Sequence, residues 1–447
     1  MGLQPLARAH RIQRRTRYSP DLLIFCKAVT PAASRTLLAL AVAVGGAIRF
    51  VALPLPGTTD TPIFAVWARY AAIEGVGGLY GTGGVFPQRR VLESGDVGTK
   101  VDYPPLALSE LGLAGRFERV MPLATAIKLL TIAFEATLAA LVFATARRWR
   151  RTQDEAAVAA LGVWLNPASI MIAAVLGYVD PLFVLPAVGA LAGAVAGHPA
   201  VAGALIAAAC LTKPLAILIA PCVVLAIWNT GDERHRPRRL VSAGAAAAAA
   251  TVFIVLPVAA RGGLLNMLWG LGSLLRDPWL SGSSASLWTI VMAVTKTPVP
   301  IDAARVAGAV LTLGAVALVM WRARDARDPW LLAALGAFAV HAYATLAVAV
   351  HENHLYAAVP LLALAIAGRR RFAGVFAAVS AIAALNLYFA YGFGVGVGHF
   401  APQTVNGIDV LVLLAAVNAA VFAWHAAVLH AECAATLPGP TEAPRRA

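Results

Sequence analysis

The sequence predicts an all-α, polytopic transmembrane helix bundle, and three observations lead to it. First, 60% of the 447 residues are hydrophobic and only 13% charged, with mean hydropathy +0.75. A soluble globular domain is about 45–50% apolar and about 25% charged. Second, the apolar residues form continuous runs of spanning length rather than the ~10-residue alternating segments of a membrane β-barrel. Third, the 36 Lys and Arg exceed the 22 Asp and Glu, for a net charge of +14, and most of them sit in short clusters between the runs. That is how loops kept on the cytoplasmic side are marked. A soluble enzyme, a disordered chain and a secreted disulfide scaffold are excluded. A positive charge that would suggest nucleic acid in a soluble protein becomes a topology signal, and no nucleic-acid partner is expected.

Residues 1–35 read as a basic cytoplasmic tail, with Arg8, Arg11, Arg14, Arg15 and Arg17. The first apolar run, from about Leu37 to Leu55, starts too late for a signal peptide and reads as an uncleaved helix. Clear spans follow from length and composition at 36–55, 122–145, 156–176, 240–260, 302–321, 328–349, 372–392 and 407–429. The stretch 180–228 is broken at Gly197-His198-Pro199 and at Thr212-Lys213-Pro214, and 355–367 is a short run before Arg369, Arg370 and Arg371. Placing the clusters Arg147–Arg151, Arg234–Arg239, Arg322–Arg327 and Arg369–Arg371 in the cytoplasm requires an even number of crossings between them. The broken stretch then divides into 181–196, 200–211 and 215–228. Residues 261–301 stay outside, with 285–296 as an interfacial or re-entrant piece. The expectation is about twelve crossings over 36–430, some short and broken, with both termini cytoplasmic. A Pro-rich tail, 431–447, reads as disordered. Short broken helices are tolerated at membrane depth only when buried in protein or lining a wet cavity. The four cysteines, Cys26, Cys210, Cys222 and Cys433, have no metal-ligand spacing.

This topology gathers polar residues on the outer face. The stretch 56–104 opens with Thr59-Asp60-Thr61-Pro62 and closes with Asp102-Tyr103-Pro104-Pro105-Leu106. The first outer loop as a whole is 56–121, long enough to imply function or disorder. Gly177-Tyr178-Val179-Asp180, Lys213 and His351-Glu352-Asn353-His354 occupy further outer turns. None of these residues was used to set the topology, so their common side is evidence for a shared site. Each also has a plainer reading. Asp60 reads as a loop acid or helix cap, Asp102 as a turn cap, and Asp180 and Asn166 as helix-end caps. Lys213 reads as a snorkelling lysine, and Arg49, near the outer end of the first helix, as an interfacial one. His351–His354 reads as an interfacial turn or a metal pair. Trp67, Tyr70, Tyr80 and Tyr103 read as sugar-stacking or interfacial aromatics.

At these residues the chain resembles the GT-C superfamily of membrane glycosyltransferases, which use sugars carried on polyprenyl or dolichyl phosphate. The superfamily's acid just after the first helix is matched by Asp60. Asp102-Tyr103-Pro104-Pro105-Leu106 and His351-Glu352-Asn353-His354 are similar to two motifs of the asparagine-linked-glycosylation glucosyltransferase branch. The first match is complete; the second departs from His-Glu-Lys-His at Asn353, which removes a positive charge. Leu165-Asn166-Pro167 and Gly177–Asp180 resemble bacterial members, including mannosyltransferases of the GT87 type. The resemblance spans roughly 36–370.

It implies an inverting transfer of a hexose, mannose or glucose, from a polyprenyl-phosphate donor to an acceptor hydroxyl on a glycolipid or glycan at the outer face. Asp60 would be the general base, with Asp102 orienting the acceptor or the loop. Lys213, His351, His354 and Arg49 would bind the donor phosphate as its charge grows. Glu352, Asp180 and Tyr103 would support them. No cofactor and no divalent metal are expected. The expected setting is a bacterial plasma membrane, since Gly and Ala richness fits a GC-rich genome, and the expected state is a monomer. The alternative is a transporter or flippase of a lipid-linked saccharide, because broken helices with polar breaks also mark substrate paths.

Overall fold

The computed structural model describes residues 31–81, 91–95, 97–274, 278–295 and 298–436. The tail readings before residue 31 and after 436, Cys26 included, lie outside the described residues. Residues up to Leu40 form a unit of their own, and the packing below concerns Ala41 onward.

The chain is all-α. Helix α1, Pro31–Ala52, leads into a first loop that holds three helices: α2, Thr61–Glu74; a single turn, α3, Val76–Leu79; and α4, Pro105–Gly115. Strands β1, Leu92–Ser94, and β2, Val97–Thr99, form a hairpin between α3 and α4. Helices α5, Leu123–Arg148, and α6, Gln153–Trp164, follow, then α7, Pro167–Ile170, which runs on into a π-helical turn, Met171–Leu176. The broken stretch is α8, Asp180–Val195; α9, Pro199–Thr212; a 3₁₀ turn, Pro214–Leu218; and α10, Ala220–Asn229. Next come α11, Arg236–Ala260; α12, Leu264–Leu274; β3, Ser281–Gly282; α13, Leu287–Val294; and α14, Ile301–Arg322. The remainder is α15, Pro329–Leu346; β4, Val350–His351; α16, Ala358–Gly368; α17, Ala373–Tyr391; a short hairpin of β5, Thr404–Val405, and β6, Ile408–Asp409; and α18, Val410–Thr436.

Among the described residues six helices are long and apolar enough to cross a membrane: α5, α11, α14, α15, α17 and α18. The pair formed by α6 and the α7–π segment, bent by 44°, makes a seventh if counted as one span. The bend follows Asn166-Pro167: proline cannot donate to the ladder, and the Asn166 side chain caps the restart by accepting from Ala168 N–H at 3.0 Å. Breaks at Pro199 and Pro214 have the same cause. The sequence reading leaves two features out. The first loop holds helices α2, α3 and α4, and α12 precedes the piece read as interfacial, which is α13. Helix α18 also runs past 430 to Thr436.

The arginine-rich turns meet at one end of the bundle. Arg151 donates to the Gly368 carbonyl at 3.2 Å, and Arg369 binds Asp328 at 2.8 Å and Glu432 at 2.6 Å. Asn229 donates to the Arg324 carbonyl at 2.8 Å, and the Trp149 and Trp330 rings meet edge-on at 4.9 Å. Helices α15 and α16 are buried nearly all round, whereas α11 and α14 turn Val252, Phe253, Leu256, Val306, Val310 and Leu313 outward. Such exposed apolar faces suit lipid. Helix α9 packs closely on the alanine tract of α11. A methyl on Gly203 would fall 2.0 Å from the Ala243 carbonyl oxygen, the small-residue contact that packs helices in lipid.

One charge pair lies inside this packing. Arg49 of α1 donates to Glu135 of α5 (Nε to Oε2, 2.9 Å), to the Gly45 carbonyl at 2.9 Å and to the Trp164 carbonyl at 2.7 Å. Its guanidinium also lies 3.8 Å over the Trp164 ring. Both side chains are buried. Removing one partner leaves the other charge uncompensated. Arg49→Ala or Glu135→Ala is expected to cost ~3–5 kcal/mol, and Arg49→Met with Glu135→Leu to recover most of it. Apparent melting temperatures in detergent check this; a double variant no better than the singles would refute the pairing.

Candidate active site

The site begins where α1 ends. Helix C-termini leave carbonyls without partners, and here Lys128 of α5 reaches them. Its Nζ lies 2.5 Å from the Leu55 carbonyl oxygen and 3.5 Å from those of Ala52 and Leu53. The chain then turns through Gly57 at φ 88°, a conformation glycine adopts without strain. Thr58 N–H donates to the Thr61 hydroxyl at 2.9 Å, and Asp60 N–H to the Thr58 hydroxyl at 3.2 Å. Asp60 occupies the N-cap of α2, yet its side chain makes no capping bond. The carboxylate is thus left for other partners. Burial raises it above the ordinary carboxylate range; His351 and Lys213 act against that, and Asp180 adds to it.

Tyr103 holds the other end of the loop beside it. Its ring packs 5.8 Å from Phe64 and 5.3 Å from Trp67, both on α2. Its carbonyl accepts from the Tyr80 hydroxyl at 2.7 Å. Pro104 and Pro105 then start α4, with proline in the first turn where no N–H is missed. Burial pushes the Tyr103 phenol well above its ordinary value, and Asp180, Asp60, Asp102 and Glu352 all push the same way. Carboxylates from four places in the chain therefore act on one phenol. Trp67 and Tyr80 are buried, so they build this wall and are not open sugar platforms.

Three breaks in the apolar runs supply the rest. The π-helical turn ends at Gly177 in the left-handed conformation, φ 71°, and delivers Tyr178 and Asp180. Lys213, extended between α9 and the 3₁₀ turn, binds Asp180 Oδ1 at 2.9 Å. Asn353 binds Asp180 Oδ2 at 3.0 Å. Glu352 accepts from the Tyr178 hydroxyl at 2.5 Å, which lies 3.0 Å from the Tyr391 hydroxyl. His354 Nδ1 accepts from His351 N–H at 3.2 Å. A ring nitrogen that accepts carries no proton, so His354 is neutral with its hydrogen on Nε2.

Asp60, Asp102, Tyr103, Asp180, Lys213, His351, Glu352 and His354 are thus brought together. Arg49 does not join them, because all three guanidinium nitrogens are engaged inside the bundle. His354 keeps its place beside His351, its Nδ1 accepting from the His351 N–H. Asp60 and Asp180 are not side-chain caps, whereas Asn166 is one. Lys128, Tyr391 and a role for the segment Ser281–Ser286 are absent from the sequence reading, whereas Tyr178 stood in the Gly177–Asp180 turn. A lone lysine inside a spanning run was a legible signal for Lys128. Among the described residues no group of three or more His, Cys, Asp and Glu is arranged to hold a metal ion.

Residues 103–349 match the sequence model of glycosyltransferase family 87, a GT-C-type family. The chain belongs to this family. No curated protein matches it. The family-87 match takes in Tyr103, Asp180 and Lys213 but stops short of Asp60, Asp102 and His351–His354 on either side. Asn353 is tied to it by its bond to Asp180, and Asp60 by the charges of Lys213 and Asp180 that act on it.

Glu110 of α4 closes the wall near the Thr212 hydroxyl. Burial lifts its carboxyl from 4.5 to about 8, with Thr212 acting against the rise. Both folded and unfolded states hold this proton below pH 4.5. Between there and about 8 only the unfolded state gives it up, so stability falls as pH rises; above about 8 the penalty is constant. Glu110→Gln lacks that term. Its apparent melting temperature is expected to gain on wild type progressively between those values and then run parallel; a constant difference across the range would overturn the assignment.

Proposed function

We propose that this family-87 glycosyltransferase is an inverting hexosyltransferase. It moves mannose or glucose from a polyprenyl-phosphate donor to an acceptor hydroxyl on a glycolipid or glycan. Its setting is a bacterial plasma membrane, crossed about twelve times, with the site on the outer face. The five shorter apolar helices beside the seven spans support that number. The gathering of arginine-rich turns at one end supports a cytoplasmic reading for that end and an outer one for Asp60. The chain works as a monomer without a divalent metal.

One observation carries the reading: a carboxylate in the turn just after α1, released from its helix cap and raised by burial, with His351 and Lys213 acting on it. The acceptor hydroxyl attacks the anomeric carbon from the face opposite the phosphate. Its proton passes to Asp60 as the new C–O bond forms. The bond from the anomeric carbon to the phosphate oxygen breaks, and the electron pair leaves with the polyprenyl phosphate. Lys213 and His351 stabilise that growing negative charge, and the His354 Nε2–H donates to it. Asp102 and Tyr103 hold the acceptor side of the loop. Asp180 keeps Lys213 and Asn353 in place, and Glu352 is held by Tyr178.

Membranes supplied with labelled polyprenyl-phosphate mannose or glucose test this. Asp60→Asn is expected to lower transfer by roughly 10²–10⁴-fold. In wild type the rate is expected to fall toward acid as Asp60 takes up a proton, with an apparent pKa above 3.8. Undiminished transfer by Asp60→Asn would remove Asp60 as base. Movement of the lipid between leaflets without sugar transfer would favour the transport alternative.

A further inference from the structure

His351 is held from a side that no motif marks. The segment before α13 runs beside it: Ser281 and Gly282 of β3 pair in parallel with Val350 and His351 of β4. Ala349 N–H donates to the Leu280 carbonyl at 3.1 Å. Two non-glycine residues adopt left-handed backbone at this junction, Ser283 at φ 55° and Ala349 at φ 57°. Such strain persists only where the surroundings over-determine it, and it clusters at functional sites. The restraint comes from two buried asparagines. Asn386 of α17 donates to the Ser283 carbonyl at 2.9 Å and accepts from Ala285 N–H. Asn418 of α18 donates to the Ala285 carbonyl at 2.8 Å and to the Thr345 hydroxyl at 3.1 Å.

Gly282 is the point of contact. Its backbone is outside the left-handed region, so conformation alone would admit a side chain there. A methyl at Gly282, however, would lie 2.6 Å from His351 Nδ1 and 2.8 Å from Cε1. The imidazole occupies the volume that any larger residue would need.

We propose that Gly282 and Asn386 are positioning residues for His351: the glycine leaves room for the ring against β3, and the asparagine fixes the strained turn that carries the glycine. The consequence for catalysis rests on the proposed glycosyl transfer, in which His351 faces the donor phosphate. A displacement of about 1 Å at such a group lowers the rate by up to about 10²-fold.

The experiment uses the full chain in detergent or nanodiscs, with ring-labelled histidine and a labelled polyprenyl-phosphate mannose or glucose. Gly282→Ala is expected to lower kcat by roughly 10–10²-fold while leaving the melting temperature near that of wild type. Asn386→Ala is expected to lower kcat in the same direction, with Asn386→Asp, which keeps the acceptor for Ala285 N–H, falling between. Because the glycine acts through the ring, Gly282→Ala is expected to cost little more in a His351→Ala background. The His351 ring resonance, assigned by its loss in His351→Ala, is expected to shift in Gly282→Ala. An unmoved resonance, wild-type kinetics or additive losses would overturn the proposal. A shifted resonance in a protein whose wild type transfers no sugar would instead overturn the proposed function and leave the positioning contact standing.

Discussion

A carboxylate buried in a lipid-embedded bundle must be paired, and Asp180 is fully buried. An isolated ion there would cost several kcal/mol. Its two oxygens are taken by Lys213 and Asn353, and these come from two other breaks in the apolar runs. The end of the π-helical turn, the interruption before Pro214 and the turn after α15 are therefore drawn to one place. Each break alone would leave backbone groups without partners at membrane depth. Converging, they satisfy one another, and they bring Tyr178, His351 and Glu352 up to the loop that carries Asp60.

The same demand operates elsewhere in the bundle with different outcomes. Arg49 and Glu135 satisfy it by closing on each other, which ties α1 to α5 and leaves no free donor. Lys128 satisfies it against carbonyls, where it finishes α1 and fixes the origin of the Asp60 loop. At the opposite end the arginines are numerous and partly exposed, and pairs such as Arg369–Asp328 and Arg371–Glu432 link successive turns. The net charge of +14 is thus divided unevenly. It is abundant at the arginine-rich turns and sparse beside Asp60, where Lys213 and His351 act on the carboxylate.

Much of the site was legible because polar residues at breaks in apolar runs are expensive and so stand out. Asp180, Lys213 and Glu352 stood out as candidates in this way, and Asp60 by its place just after the first helix. Arg49 was found too, but its partner lies 86 residues away, and sequence distance says nothing about which charges meet. His354 could not be read as neutral, since that follows from a hydrogen bond to its Nδ1. The Ser281–Ser286 segment carries no charge and no motif; only its pairing with His351 gives it meaning. Helices α2 and α4 were hidden within a loop defined by its position between two spans.

The sequence by itself determined an all-α membrane bundle, the clustering of its arginines at one set of turns and the identity of most polar residues at the other. Composition and run length decide these, because the bilayer punishes each misplaced charge separately. Which charge neutralises which, which nitrogen of His354 accepts, and which carboxylate stays free of its helix cap were decided only by tertiary structure. Those depend on distances of a few ångströms between segments far apart in the chain.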